Sequence, residues 1–334
     1  MMKRRAYKLQ ILPAALLIGA LYFFTRNVPF SEKYVLPSSS SRIMPQSPDK
    51  PPIAPVFVTD NTVEMVVAST TKENVTWLHD HLLDWPKNIY VVDDATAELT
   101  VPRNKGREAM AFLTYIIDRY DSLPSTVLFH HAERFQWHND DPNYDAVALL
   151  QNLRLETIQQ EGYANLRCAW VLGCPAEIRP AYDESSLQPG DILAAKHIYK
   201  QSFEHLFLGD AVPDVVGVTC CSQFAATRTA IQRRSRQNYV RYRDWLLATE
   251  LHDALSGRVF EYAWHIIFGK NAVHCPDAGS CYCKLYGLCN LHCDKQSCEG
   301  QYTLPTYATL PAGWPRLDWN GEDRNWVEPK RRSK

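Results

Sequence analysis

Short apolar runs alternate with helical periodicity through the middle of this chain. Residues 63–68 (VEMVVA) form an apolar, β-branched run, and residues 74–83 place Trp77, Leu78 and Leu82 on one helical face. Residues 89–92 (IYVV) repeat the strand pattern and stop abruptly at Asp93-Asp94. Residues 107–120 space Ala109, Phe112, Leu113, Ile116, Ile117 and Tyr120 at helical intervals, which predicts a helix covering a sheet. A further strand is expected at 126–129. Strand, helix, strand at these separations predicts right-handed βαβ units and a parallel sheet. Beyond it, residues 149–160 read as helix, 169–172 as strand, 233–255 as one long helix and 259–268 as another. There is no internal repeat.

The first sixty residues follow a different pattern. Residues 9–24 are uncharged, with Lys3, Arg4, Arg5 and Lys8 before them and Arg26 after. Such a helix spans roughly 24 Å, short for a hydrocarbon core of ~30 Å but extended by snorkelling of Lys8 and Arg26. The expectation is a single-pass transmembrane signal-anchor over 9–25, with residues 1–8 cytosolic and the rest lumenal. The rival is a cleaved signal peptide, but Gly19-Ala20-Leu21 running into Tyr22-Phe23-Phe24 offers no small-x-small site. Residues 26–60 carry Pro29, Pro37, Pro45, Pro48, Pro51, Pro52 and Pro55 with a serine run at 38–41, the composition of an extended stem. A lumenal α/β domain is expected over 61–274, and a cysteine-rich segment and tail over 275–334. The organisation is that of a type II membrane protein of the secretory pathway, facing the Golgi or ER lumen.

The chain has ten cysteines, and Cys275, Cys281, Cys283, Cys289, Cys293 and Cys298 cluster near the C-terminus. His274 and His292 among them raise a zinc site. The single residue between Cys281 and Cys283 makes a poor zinc knuckle, and an oxidising lumen favours disulfides. Sequence leaves the pairing open. Cys220-Cys221 is either two ends of different bridges or one vicinal bridge. A formal net charge of −1 gives no argument for a nucleic-acid partner. Asn74-Val75-Thr76 is a glycosylation sequon inside the expected helix at 74–83.

Candidate chemistry gathers at predicted strand and helix ends. In an open α/β sheet, ligands bind beyond the carboxyl ends of the strands. Asp93 and Asp94 close one strand, where a carboxylate suits a base or ribose, or simply a turn. Asn104-Lys105-Gly106 suits a phosphate at a helix start, with Arg103 and Arg107 adding charge. After the strand at 126–129 come His130, His131, Glu133, His138 and Asp140; His131, Glu133 and His138 are the candidate metal ligands, for Mn²⁺ or Zn²⁺. Glu261 and His265 stand four apart in a predicted helix, as a general base with a neighbouring histidine or as a structural pair. Arg233 and Arg234 open a basic run with Arg236, Arg241 and Arg243, a diphosphate clamp or a solvated face.

The stretches NKGREAMAFLTYIIDRYDSLP, FQWHNDD, GYANLRCAWVLGCP, VTCCSQFAATR, SGRVFEYAWHIIFGK and VHCPDAGSCYCKLYGLC resemble the fungal family catalogued as domain of unknown function 3431, over roughly residues 63–312. More distantly, VVDD, the Asn104-x-Gly106 turn with its alanine-bearing helix, and a strand ending in polar residues are similar to glycosyltransferases of the GT-A fold. That resemblance implies a GT-A-like (Rossmann-related) α/β fold, a mixed sheet with helices on both faces. It implies a nucleotide-sugar donor and a glycan, lipid or small-molecule acceptor. The nucleotide would fall on Asp93 and Asp94, the diphosphate or its divalent metal on the segment from His130 to Glu133, and the base on Glu261. His130-His131-Ala132-Glu133 departs from the Asp-x-Asp that such enzymes carry at this strand end. Two readings compete with sugar transfer: a metal-dependent hydrolase using the same histidines and carboxylates, and a non-catalytic lumenal binding module.

Overall fold

The structure, a computed structural model, describes residues 62–141 and 144–289, together with 291, 293 and 295–298. The expected cytosolic tail, anchor at 9–25, stem and C-terminal tail fall outside these residues. Among the described residues, no helix is long and apolar enough to cross a membrane.

The elements run β1 (Val63–Ser69), α1 (Thr76–His81), β2 (Lys87–Val91), α2 (Ala109–Arg119), β3 (Thr126–His131), α3 (Ala146–Gln151), α4 (Leu155–Glu161) and β4 (Tyr163–Asn165). They continue as α5 (Pro180–Ser186), α6 (Ala195–Leu206), β5 (Gly217–Val218), β6 (Phe224–Thr227) and α7 (Arg228–Ile231). Last come α8 (Arg236–Ala248), α9 (Asp253–Glu261), α10 (Trp264–Ile267), β7 (Val273–His274) and α11 (Ala278–Tyr286).

Five strands form one sheet in the order β2-β1-β3-β6-β4. β1 pairs in parallel with β2 and β3, whereas β6 runs antiparallel to both β3 and β4. The sheet is therefore mixed, with β6 as its reversed strand. The pleat sends alternate side chains to opposite faces. Val66, Val127, Phe129 and Phe224 enter one core with α2, α6 and α8, while Met65, Val67, Leu128 and Ala225 enter a second with α1, α3 and α11. Helices thus cover both faces.

α2 is buried on every side from Ala109 to Ile117, as expected of a helix that is apolar all round. Phe112 from this helix lies 5.0 Å from Phe129, and Phe224 lies 4.8 Å from Phe129 and 5.3 Å from Trp264, centroid to centroid. Burying one such ring contributes ~1.5–3 kcal/mol, so this stack fixes the centre of the sheet.

Several expected elements divide or move. The helix predicted over 149–160 is two helices, because the chain turns at Asn152, which caps α3. The helix predicted over 233–255 begins only after Ser235 and ends at Thr249, and His252 then caps a new helix by accepting from the N–H of Ala254. The helix predicted over 259–268 breaks between Glu261 and Trp264. Residues 169–172 form no strand; the edge of the sheet is β4 instead. Asn74 lies exposed in the turn before α1, accepting from the N–H and hydroxyl of Thr76.

All ten cysteines are paired: Cys168–Cys281, Cys174–Cys275, Cys220–Cys221, Cys283–Cys289 and Cys293–Cys298. Disulfides rather than zinc therefore order the C-terminal cluster, and Cys220-Cys221 is a vicinal bridge.

Candidate functional site

β1, β2 and β3 end at Ser69, Val91 and His131 along one edge of the sheet. β4 ends beside them at Asn165, and the reversed β6 starts there, with Phe224 opposite both Phe129 and Asn165. The loops that follow these strands, and the turn that feeds α2, meet at this edge.

His131 is the last residue of β3, and its ring meets two side chains of the following loop. Its Nδ1 is 2.9 Å from Nδ1 of His138 and 3.3 Å from Oε1 of Gln136, and His138 Nδ1 is 3.1 Å from that same oxygen. The other nitrogen of His131, Nε2, is buried without a hydrogen bond and lies 4.0 Å from a carboxylate oxygen of Glu108. Burial holds His138 down to a pKa of about 3, reinforced by His131, Arg167, Arg107 and Arg258. His130, one residue earlier, points to the opposite face. Its Nδ1 pairs with the carbonyl of His131 at 2.8 Å, its ring meets Trp77 edge-on, and burial pushes its pKa down to about 3.

Glu261 ends α9 with only 13 % of its side chain exposed. One carboxylate oxygen accepts from the N–H of Cys221 at 2.8 Å, and the other accepts from Nε of Arg258 at 2.8 Å. Burial raises its pKa above the usual carboxylate value; Arg258 opposes this and Glu108 adds to it. Cys221 offers its N–H from a left-handed backbone at φ +89°, and Arg107 is likewise left-handed at φ +55°. Such conformations cost of order 1–3 kcal/mol and concentrate at functional sites.

Close backbone approach brings the two arginines together. A side chain on Gly257 would put its Cβ 3.0 Å from the carbonyl of Gly106 and 3.3 Å from Cβ of Arg107, so glycine lets α9 pack this closely against the turn before α2. Arg107, Arg258 and Lys196 then line a cleft with Glu177 and Tyr262, at the first turns of α6 and α9.

The remaining expected residues divide into three groups. Asp93 and Asp94 reach the same edge at the end of β2, roughly 10 Å from β3 across two strand spacings. Asp93 accepts from the N–H and hydroxyl of Thr71, and Asp94 from those of Thr96. These bonds hold both carboxyls below their usual pKa. Glu133 is exposed, and its main-chain carbonyl accepts from Gln136; the carboxylate 4.0 Å from His131 belongs to Glu108. Asn104 is exposed, whereas Lys105 is buried and donates to the carbonyl of Leu251 at 2.6 Å, with Asp253 at 3.7 Å. Gly106 is needed at φ +69° where a Cβ would strike Leu246. Lys105 and Gly106 therefore anchor the turn that presents Arg107 and Glu108.

Arg233, Arg234 and His265 are not brought to this edge. β6 runs backwards, so the segment after it emerges at the amino end of β3, where Thr227 faces Thr126. There Arg233 packs over Gly269, and Arg234 pairs with Asp210 at 3.3 Å. The helix break after Glu261 removes the four-residue relation to His265, which is fully buried with Nε2 on the carbonyl of Ala272 at 3.0 Å. Burial lowers its pKa to about 4.

Gln136, Glu108, Arg167 and Arg258 escaped the reading of the sequence. The spacing Arg258-x-x-Glu261 was a usable sign, since residues three apart meet on a helix. Gln136 stands inside the FQWHNDD stretch but is a residue type seldom weighed as a ligand.

No curated protein and no solved structure matches the chain. Residues 65–284, which run from β1 into α11 and include both His131 and Glu261, match the family described as Protein of unknown function (DUF3431), and the chain belongs to that family.

Proposed function

We propose that this chain is a nucleotide-sugar-dependent glycosyltransferase of the secretory pathway, GT-A-like in fold and attached to the membrane through residues 9–25. The observation that carries the reading is the buried carboxylate of Glu261 beside a cleft lined by Arg107, Arg258 and Lys196. A carboxylate with a raised pKa is a better general base near neutral pH. Guanidinium groups and helix amino ends suit the oxygens of a diphosphate. Glu261 takes the proton of the acceptor hydroxyl as its oxygen bonds to the sugar carbon. The bond from that carbon to the diphosphate breaks, and the nucleoside diphosphate leaves against the arginines. Asp93 and Asp94 would face the nucleoside. The diphosphate role passes from Arg233 and Arg234 to Arg107 and Arg258, on the ground of position. A divalent cation, when bound, would neutralise the leaving group; the nitrogen and oxygen donors of His131, His138 and Gln136 suit one.

The converging pair His131 and His138 favours one alternative, a metal-dependent hydrolase. The test is thermal unfolding of the full chain with a panel of nucleotides and nucleotide sugars, with and without Mn²⁺ or Zn²⁺. A ligand at a hundred times its dissociation constant adds about 2.7 kcal/mol. A nucleotide-selective shift that survives in Glu261→Gln, with sugar transfer lost in that variant, is the expected result. A shift with metal alone favours the hydrolase, and no shift at all refutes transfer in favour of a binding module.

A further inference from the structure

Three polar atoms at the end of β3 and in the loop after it lie closer together than their protons can explain. Nδ1 of His131 and Nδ1 of His138 are 2.9 Å apart, and Oε1 of Gln136 is 3.3 and 3.1 Å from them. The amide orientation is fixed from outside, because Nε2 of Gln136 donates to the carbonyl of Glu133 at 3.2 Å and to Oε1 of Gln223 at 3.3 Å. Gln223 is held in turn by donating to Oδ1 of Asn139 at 3.1 Å. An oxygen acceptor therefore faces the two rings.

A neutral imidazole has one N–H, on either nitrogen. If both Nδ1 atoms carry it, two donors face each other across the histidine pair. If one carries it, a lone pair of the other ring faces the lone pairs of Gln136. If neither does, all three contacts join acceptors. Every neutral arrangement leaves at least one like-on-like contact, and a cation at the centre removes them all.

The distances name the class of cation. Metal–ligand bonds of ~2.1 Å set at right angles place neighbouring donors ~3 Å apart. Separations of 2.9, 3.1 and 3.3 Å fit one triangular face of such a coordination sphere. Two imidazoles and an amide oxygen suit a first-row transition ion, Zn²⁺ or Co²⁺ before the harder Mn²⁺, whereas Mg²⁺ prefers oxygen alone. A ring that binds through Nδ1 must carry its proton on Nε2. In His131 that atom is buried, has no hydrogen bond and lies 4.0 Å from Glu108, a carboxylate able to orient it.

We propose that His131 and His138, each through Nδ1, and Gln136 through Oε1 form one face of a divalent transition-metal site with Glu108 as the outer carboxylate on His131. The third protein ligand is then Gln136, where the sequence pointed to Glu133. The geometry for binding is independent of sugar transfer; a part in catalysis rests on the function proposed above. The one other grouping of metal-binding residue types among the described residues, Cys220, Cys221 and Glu261, has both sulfurs committed to a disulfide.

The test uses the full chain, kept free of reductant, stripped with chelator and titrated calorimetrically with Co²⁺, Zn²⁺, Mn²⁺ and Mg²⁺. Co²⁺ binding is read in parallel from its visible absorption. One equivalent of a transition ion should bind, at least about tenfold more tightly than Mg²⁺. His131→Ala and Gln136→Leu should each weaken it about tenfold or more, Gln136→Glu should retain it, and Glu133→Ala should change it less than about twofold. Circular dichroism checks that each variant is folded, and Gln136→Leu decides if His131→Ala is not. Absence of saturable binding by all three transition ions, or binding that survives Gln136→Leu but not Glu133→Ala, overturns the proposal. Because no nucleotide is present, failure here leaves the donor test standing, and a silent donor test leaves this one standing.

Discussion

Glu261 and Arg258 allow the burial of a charge to be measured directly. Replacing Arg258 with Met keeps most of the side-chain length but removes the donor 2.8 Å from Glu261. The carboxylate, 13 % exposed, is left with the N–H of Cys221. Stripping the partner from a fully buried pair costs ~3–5 kcal/mol, but Arg258 is 44 % exposed, so water replaces part of the lost interaction and ~2 kcal/mol is expected. Glu261→Gln alone should cost less than about 1 kcal/mol, since the arginine left behind is already half in water. Arg258→Met with Glu261→Gln should recover about 1–2 kcal/mol relative to the sum of the single changes. The sign of the pH dependence gives a second check. The folded pKa of Glu261 is raised by burial, so on acidification the folded state takes up this proton before the unfolded state does. The cost of the buried charge is full above the folded pKa and fades as pH falls through it towards the unfolded value. Removing Arg258, which lowers that pKa, should widen the window upward. Urea denaturation at pH 7.5 and pH 5 measures all four proteins. An Arg258→Met deficit that stays constant with pH, or single losses that simply add, would refute the account.

Three further outcomes follow from the packing. Gly106→Ala should cost about 2–4 kcal/mol in thermal denaturation, combining left-handed strain with overpacking, because its Cβ would lie 2.5 Å from Cδ1 of Leu246. His265 has a folded pKa of about 4, below the ordinary histidine value of 6.5, so the unfolded chain gains the proton first and stability should fall as pH drops through that interval. The slope should be ~1.4 kcal/mol per pH unit, opposite in sign to that of Glu261, and largely absent in His265→Gln when followed by urea denaturation. Asp140 accepts from the N–H groups of Cys168 and Ala169 at 2.7 and 3.1 Å in a buried position. Asp140→Ala should lose about 3 kcal/mol in denaturant melts and Asp140→Asn clearly less.

How much of this was legible depended on the range of the interactions. β1, β3 and α2 announce themselves because an apolar run or a helical stripe carries its own signal; β2 was two residues out of place because Lys87 and Asn88 are polar yet pair with Met65 and Val66. β6 was missed. Phe224 to Thr227 is short and unremarkable in sequence, and only its pairing with β3 and β4 makes it a strand. That omission also misplaced Arg233 and Arg234, since the reversal of β6 carries them to the far edge. Glu261 and His131 stand out in the sequence because a polar residue within or at the end of an apolar run is conspicuous. Glu108, Arg167 and Arg258 did not stand out, because their role comes from chain segments that meet only in the fold. His265 was misread for a plainer reason: four-residue spacing implies a shared face only while the helix continues.

The bridges Cys168–Cys281 and Cys174–Cys275 are nested, one loop inside the other. Between their inner ends lies an exposed stretch in which Ile192 is 90 % accessible. A protease cutting there would separate the chain into a piece bearing β1 to β4 and a piece bearing β6, yet both bridges would still join the two. The strand order adds a mechanical tie, since β6 from the second piece sits between β3 and β4 of the first. A cleaved molecule would therefore travel as one species on a gel run without reductant and as two once thiols are added. Covalent continuity and an unbroken backbone are separate properties in this protein.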